Sequence, residues 1–146
     1  MENESYASPI ERVKEKWGTA IDKGFTGFQV IPDVLIRSQQ VLGLDHGDMM
    51  VLLNILMHWW EKDNYPYPRP DAIARRMGVT RRTVERHITR LEELGLVVRM
   101  PSEEVDNGTR IRRFNLSGLL GRLEELATGM RGYERDYEAG GFKRAK

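Results

Sequence analysis

With 146 residues, 23 Lys plus Arg, 22 Asp plus Glu and no Cys, the chain suits one domain with an appended helix at either end and is too short for a large multi-domain enzyme. The lack of cysteine excludes disulfides, thiolate zinc sites, iron–sulfur clusters and cysteine nucleophiles, and agrees with a reducing cytoplasm. The formal net charge of +1 sums three unequal segments: −4 over residues 1–68, +4 over 69–113, where all 11 cations are Arg, and +1 over 114–146.

In chain order, the acidic start Met1-Glu2-Asn3-Glu4-Ser5 precedes no apolar stretch of signal-peptide type. Ser8-Pro9-Ile10-Glu11 has the form of a capping box with Pro at the first helical position, and Ile10, Val13 and Trp17 then recur at helical spacing up to Gly18. Residues 1–24 are therefore expected to be an amphipathic helix and linker. The aromatic and β-branched stretch 24–31, bounded by glycine, predicts an extended segment or one strand. A helix is expected from Pro32 to about Val41, closed by Gly43. Asp45 is a candidate cap for a helix reaching about Glu61, apolar on nearly every side and so expected to be central to the core and shared with a partner. Asn54 and His58 interrupt its apolar run well short of the ~20 residues of a membrane span.

Pro66, Pro68 and Pro70 make 64–70 a rigid linker. Two helices follow, 71–77 and 81–94, separated by Gly78-Val79-Thr80. A strand at 96–100, an Asp106-Asn107-Gly108 turn and a returning strand at 110–116 complete a hairpin. Ser117 is the expected cap of a last helix carrying Leu119, Leu120, Leu123 and Leu126. The predicted fold is mainly α with a small β-hairpin wing: a winged helix-turn-helix domain over 25–116 with extra amino- and carboxy-terminal helices. The 117–129 helix is a candidate dimerisation element, and 130–146 is expected to be a flexible tail.

Helix, Gly-containing turn, helix, strand, turn, strand is the plan in which the second helix enters a DNA major groove and the wing approaches the neighbouring backbone. Val84, Ile88 and Leu91 form the buried stripe of helix 81–94. Its far side carries Arg82, Glu85, Arg86, Thr89 and Glu93, flanked by Thr83 and Arg90. Arg82 and Arg86 lie one turn apart, where guanidinium forks can grip guanine O6 and N7. Glu85 and Thr89 can address cytosine N4 or a thymine methyl. Thr80 as cap presents first-turn amides to a phosphate, with Arg81 adding charge. Arg75, Arg76, Arg99, Arg110, Arg112 and Arg113 are candidates for phosphate contacts, which position without specifying.

The run from Tyr65-Pro66-Tyr67-Pro68 through Ile73-Ala74-Arg75-Arg76-Met77-Gly78-Val79-Thr80-Arg81-Arg82-Thr83-Val84 to Gly95-Leu96-Val97 resembles winged helix-turn-helix proteins of bacteria, phages and plasmids. Within that group it is similar to replication initiators and regulators. The resemblance covers roughly residues 28–120. It implies a cytoplasmic, nucleoid-associated protein that binds double-stranded DNA, often as a homodimer, with helix 81–94 as reader. The leading expectation is a sequence-specific homodimeric transcriptional regulator. The alternatives are a phage or plasmid replication initiator, with the replication machinery as partner, and a protein-interaction module without DNA binding. Two features depart from the pattern: Arg69-Pro70 replaces the usual small cap, and Glu103, Glu104 and Asp106 make the wing tip acidic. His87 falls at the core margin of the reading helix, and is expected to pack or to sit beside a phosphate. His46 and His58 lack metal-ligand spacing, and no phosphate loop, nucleophile elbow or carboxylate pair stands out. No metal, no cofactor and no catalysis are expected.

Overall fold

In the computed structural model, residues 8–22 and 27–130 are described, and two compact units divide the chain between Ile31 and Pro32. In the first unit, α1 (Pro9–Trp17) starts in the expected capping box: Ser8 Oγ accepts from the Glu11 amide at 3.2 Å, and Glu11 Oε2 accepts from the Ser8 amide at 2.8 Å. The Gly18 amide bonds to the Lys14 carbonyl and ends the helix, and α2 (Thr19–Asp22) follows. Residues 27–31 pair with no strand; the rest of the expected extended segment includes 24–26, outside the described residues. Aromatic and β-branched composition favours extended backbone, but only a neighbouring edge turns it into a strand.

The second unit opens with α3 (Asp33–Arg37) and α4 (Gln39–Leu42), in place of one helix over 32–41. The break falls at the buried Ser38, whose φ of −103° and ψ of 13° leave the helical region. Asp45 and Asp48 form a second capping box at the start of α5 (His46–Leu56). Val51, Leu52 and Ile55 are fully buried, so α5 is the central core helix, although Met50 stays 47% exposed. It stops five residues short of the expected end. The amides of His58 and Trp59 bond back only three residues, to Ile55 and Leu56, and the Trp59 indole donates to the Lys62 carbonyl, drawing the chain into a turn.

Extended backbone over 65–69 then leads to α6 (Pro70–Met77), where Pro70 sits in the first turn and Arg69 at the cap position makes no side-chain capping bond. Gly78, at φ 69°, takes the left-handed turn between α6 and α7 (Arg81–Glu93), with the Val79 amide reaching the Ala74 carbonyl. Helix α7 packs on α5 and α6 through Val84, Ile88 and Leu91, all fully buried.

The wing is a two-tier antiparallel hairpin. β1 (Val98–Arg99) pairs with β4 (Phe114–Asn115), and β2 (Glu103–Val105) with β3 (Thr109–Ile111). At its tip the Thr109 amide bonds to the Asp106 carbonyl across Asn107 and Gly108, at φ 60° and 76°, the positive values of a type I′ turn. The Phe114 amide donates to the Pro66 carbonyl, tying the Pro-rich segment to the base of the wing. Helix α8 (Ser117–Thr128) packs on α3 and is capped from an unexpected residue: the Asn115 side chain accepts from the Ser117 amide at 2.9 Å, and Ser117 is already helical. Leu119 and Leu123 are buried by their own chain, while Leu120 and Leu126 are half-exposed. The expected tail begins at the end of α8, and beyond Met130 it lies outside the described residues. Among the described residues no helix is long and apolar enough to cross a membrane.

Candidate nucleic-acid interface

The exposed face of α7 is set by its buried stripe. With Val84, Ile88 and Leu91 inward, Arg82 and Arg86 stand on the solvent side, and neither has a hydrogen-bond or ion-pair partner among the described residues. Glu85 shares that side but is engaged: its Oε1 accepts from Arg81 Nε at 3.1 Å. Arg81 also reaches Asp71 on α6 at 3.3 Å, and both carboxylates hold its guanidinium above its ordinary pKa, the Glu85 hydrogen bond acting most. Thr80 is the cap, as expected. Its Oγ1 accepts from the Thr83 amide at 3.2 Å and contacts Thr83 Oγ1 at 3.0 Å. The amides of Arg81 and Arg82 are thus first-turn donors with no acceptor in their own helix.

Between α7 and the wing lies a groove of about 440 Å³, lined by Arg69, Arg81, Arg99, Arg110 and Arg112 with Asp71 and Glu85 as the opposing charges. Arg112 and Arg69 make no partnered contact among the described residues, and nor does Arg75 on α6. Arg110 lies across the wing, donating to Ser102 Oγ at 3.1 Å and to the Ser102 carbonyl at 3.3 Å. Both partners are neutral, and Glu104 stands directly across the hairpin.

Four of the expected contact residues also bond within the domain. Arg90 donates through Nε to both oxygens of Asp48, at 3.1 and 3.3 Å, and through Nη2 to the Gly43 carbonyl. Arg99 pairs with Glu92 and reaches Thr89 Oγ1 and the Glu85 carbonyl, fixing β1 to α7 and engaging Thr89. Arg113 donates to Glu103 at 2.5 Å, Asn64 Oδ1 at 2.7 Å and the Tyr65 carbonyl at 2.8 Å, and lies over the Tyr67 ring. Arg76 bonds to Asn54 Oδ1 and to His58 Nε2 at 3.3 Å. A guanidinium can only donate, so that His58 nitrogen carries no proton; burial and then the Arg76 charge push the His58 pKa down.

Behind the face is a network that sequence spacing does not reveal. The Asp48 carboxylate is fully buried and accepts from the Asp45 amide at 3.0 Å, His87 Nδ1 at 2.7 Å and Arg90. Burial alone would raise its pKa, but these bonds, led by the Asp45 amide, hold it below the ordinary value. His87 thus packs in the core. Asp45, Asp48 and His87 could together offer ligand atoms to a cation. However, the Asp45 carboxylate caps the Asp48 amide and Arg90 already occupies the charged side of Asp48.

The helix pair, its glycine turn and the hairpin define this unit as a winged helix-turn-helix domain. Residues 42–97 match the family model of a helix-turn-helix domain. The chain is 28% identical over 105 residues to the replicative helicase loading/DNA remodeling protein DnaD of Bacillus subtilis. That match spans 72% of this chain and 44% of the relative, so this chain corresponds to less than half of its length. The crystal structure of the N-terminal domain of DnaD from Geobacillus kaustophilus superposes with a TM-score of 0.50 at 20% identity, covering 88% of this chain and 96% of that domain, a likeness of fold. The YusO protein of Bacillus subtilis is also similar, with a TM-score of 0.44 at 21% identity, covering 72% of this chain and 68% of that one.

Proposed function

We propose that the chain is a non-enzymatic protein that binds double-stranded DNA sequence-specifically, α7 lying in the major groove. The observation that carries this reading is the pair Arg82 and Arg86: partnerless guanidiniums one turn apart on the exposed face of the second helix of a helix-turn-helix. Glu85, Thr83 and Thr89 flank them as secondary readers. Phosphates are met by Arg75, Arg112, Arg110, Arg81 and the α7 first-turn amides, with Thr80 holding the helix start. Arg76, Arg90, Arg99 and Arg113 act indirectly, by fixing the elements that present these groups.

Two copies on a partly palindromic site, with half-sites ~10 bp or a multiple apart, remain part of this reading. Because Leu119 and Leu123 are already covered, any pairing through α8 would use Leu120 and Leu126. For the process served, the DnaD relative, whose name states helicase loading and DNA remodeling, favours replication over transcriptional control, and with it the replication machinery as a further partner inside the cell. Selection of bound sequences from a random duplex pool, with a mass measurement of the complex, tests the proposal. A consensus bound by dimers is expected. Failure to bind any duplex at ~50 mM salt, where counterion release is strongly favourable, would sink it and leave a protein-interaction module. Direct repeats beside an origin support the replication reading; one inverted repeat at a promoter supports regulation.

A further inference from the structure

On the other side of the wing from Arg112, the turn after α5, the Pro-rich segment, α6 and the wing tip enclose a second cavity of about 590 Å³. That volume lies within the ~300–1,000 Å³ of small-molecule sites. Its composition differs from the groove beside α7. Three aromatic rings line it, Trp60, Tyr65 and Tyr67, together with Arg69 and Arg76. Trp60 is 73% exposed, a large apolar surface left in water by a chain that buries most of its leucine. Arg113, 4.9 Å over the Tyr67 ring, holds that ring in place while leaving it 49% exposed.

The electrostatics favour an anion. Among the described residues Arg69 has no partner and Arg76 bonds only to the uncharged Asn54 and His58, so neither charge is cancelled locally. Among the described residues Asp106, at the wing tip, is the one acid lining the cavity. Open aromatic faces beside uncompensated arginines are the combination that binds single-stranded nucleic acid, bases stacking and phosphates pairing. Position supplies the second argument: Tyr67, Pro68 and Arg69 line this cavity and also the groove between α7 and the wing. A strand lying in the groove would therefore pass directly into the cavity.

We propose that this cavity holds an unpaired nucleotide of a DNA strand continuous with the duplex on α7, its base stacked on Trp60 and its phosphate paired with Arg69 and Arg76. The inference rests on the duplex-binding reading above. It makes the domain a reader of duplex ends next to single strands, a substrate that a protein acting on opened DNA would meet.

Fluorescence anisotropy on the full chain compares a blunt duplex carrying the selected site with the same duplex bearing a five-nucleotide thymidine tail at either end. One of the tails is expected to raise affinity about tenfold, the scale of one stacked base. Trp60→Ala should remove that gain and leave blunt binding within about twofold, Trp60→Phe should restore part of it, and Arg86→Ala should weaken blunt binding while keeping it. No gain from any tail, or an equal gain in Trp60→Ala, overturns the inference and leaves the duplex reading standing. Thymidine monophosphate quenching the tryptophan emission without a tail effect also overturns it, in favour of a free nucleotide. If no blunt duplex binds, the duplex reading fails by itself, and a thymidine decamer decides the cavity: bound by the wild type and lost in Trp60→Ala supports stacking, unbound by both overturns it.

Discussion

Asp48 on α5 and His87 on α7 meet at 2.7 Å, Oδ1 to Nδ1, with the carboxylate fully buried and Arg90 on its other side at 3.1 Å. Their separation of 39 residues in sequence makes this contact a tertiary clamp. It fixes the rotation of α7 about its own axis, and therefore which residues point away from the core. The clamp thus reinforces the buried stripe of Val84, Ile88 and Leu91 that turns Arg82 and Arg86 outward.

Removing that carboxylate should cost stability. In Asp48→Ala the His87 and Asp45 donors lose a charged acceptor inside the core, and a loss of roughly 3 kcal/mol is expected by urea unfolding. The pH dependence follows from the direction of the Asp48 shift. The folded-state pKa lies below the ordinary 3.8, so the unfolded chain takes up the proton first on acidification. The contribution is complete well above 3.8 and is lost as pH falls through the lower, folded value. Stability of Asp48→Asn should therefore fall less steeply than wild type between about pH 6 and about pH 3. Parallel curves would show that folding leaves the Asp48 pKa unshifted.

The salt dependence of DNA binding separates two neighbouring arginines. Arg112 is exposed and has no partner among the described residues, whereas Arg113 is held by Glu103, Asn64, the Tyr65 carbonyl and the Tyr67 ring. Arg112→Ala should leave the melting temperature unchanged and flatten the slope of log K against log salt by about 0.9, one phosphate. Arg113→Ala should lower the melting temperature, at a cost of about 1–3 kcal/mol, with the slope intact in the fraction still folded. The reverse pattern would place the wing in another orientation on the duplex.

The contrast marks how far the sequence alone can be taken. Periodicity located α6, α7 and the hairpin, because Val84, Ile88 and Leu91 repeat at helical spacing and Asn107-Gly108 is a strong turn signal. It also separated the buried from the outward side of α7, which is why Arg82 and Arg86 stand where spacing puts them. Their DNA contacts are a separate matter, for the experiments above. Composition could not distinguish an arginine facing solvent from one spent on the fold. Arg90, Arg99 and Arg113 look the same as Arg86 in one dimension, and only distant acceptors, Asp48, Glu92 and Asn64, decide their use. Helix α5 ends before its expected limit for a similar reason: apolar residues continue to Trp60, but the Trp59 indole and the turn to Pro66 redirect the backbone. Ser117 was a plausible cap by type, yet Asn115 two residues earlier has the geometry.

Two glycines of α8 should respond oppositely to the same substitution. A Cβ at position 118 would overlap the carbonyl oxygen of Gly95, which is backbone and cannot rotate away, beside the bond from the Leu119 amide to the Leu96 carbonyl. Gly118→Ala should destabilise by about 1–3 kcal/mol, or more where α8 must lift from the end of α7. At Gly121 nothing lies within 4 Å of the added carbon. Gly121→Ala should therefore stabilise the helix by up to about 1 kcal/mol. Thermal melts of both variants give the comparison, and equal effects would mean that α8 does not dock at Gly95.

Arg86→Ala is the direct test of the reading face. The side chain is exposed and has no partner among the described residues, so its loss should leave the melting temperature within a degree or so of wild type. A bidentate contact to one guanine is worth ~1–3 kcal/mol of discrimination. Competition between the selected site and single-base variants should therefore show preference collapsing at one position of each half-site and persisting elsewhere. Arg82→Ala should relax a second position displaced along the groove, because the two side chains leave α7 one turn apart. An equal loss of affinity on specific and random duplex would assign Arg86 to the phosphates and move base reading to other residues of α7.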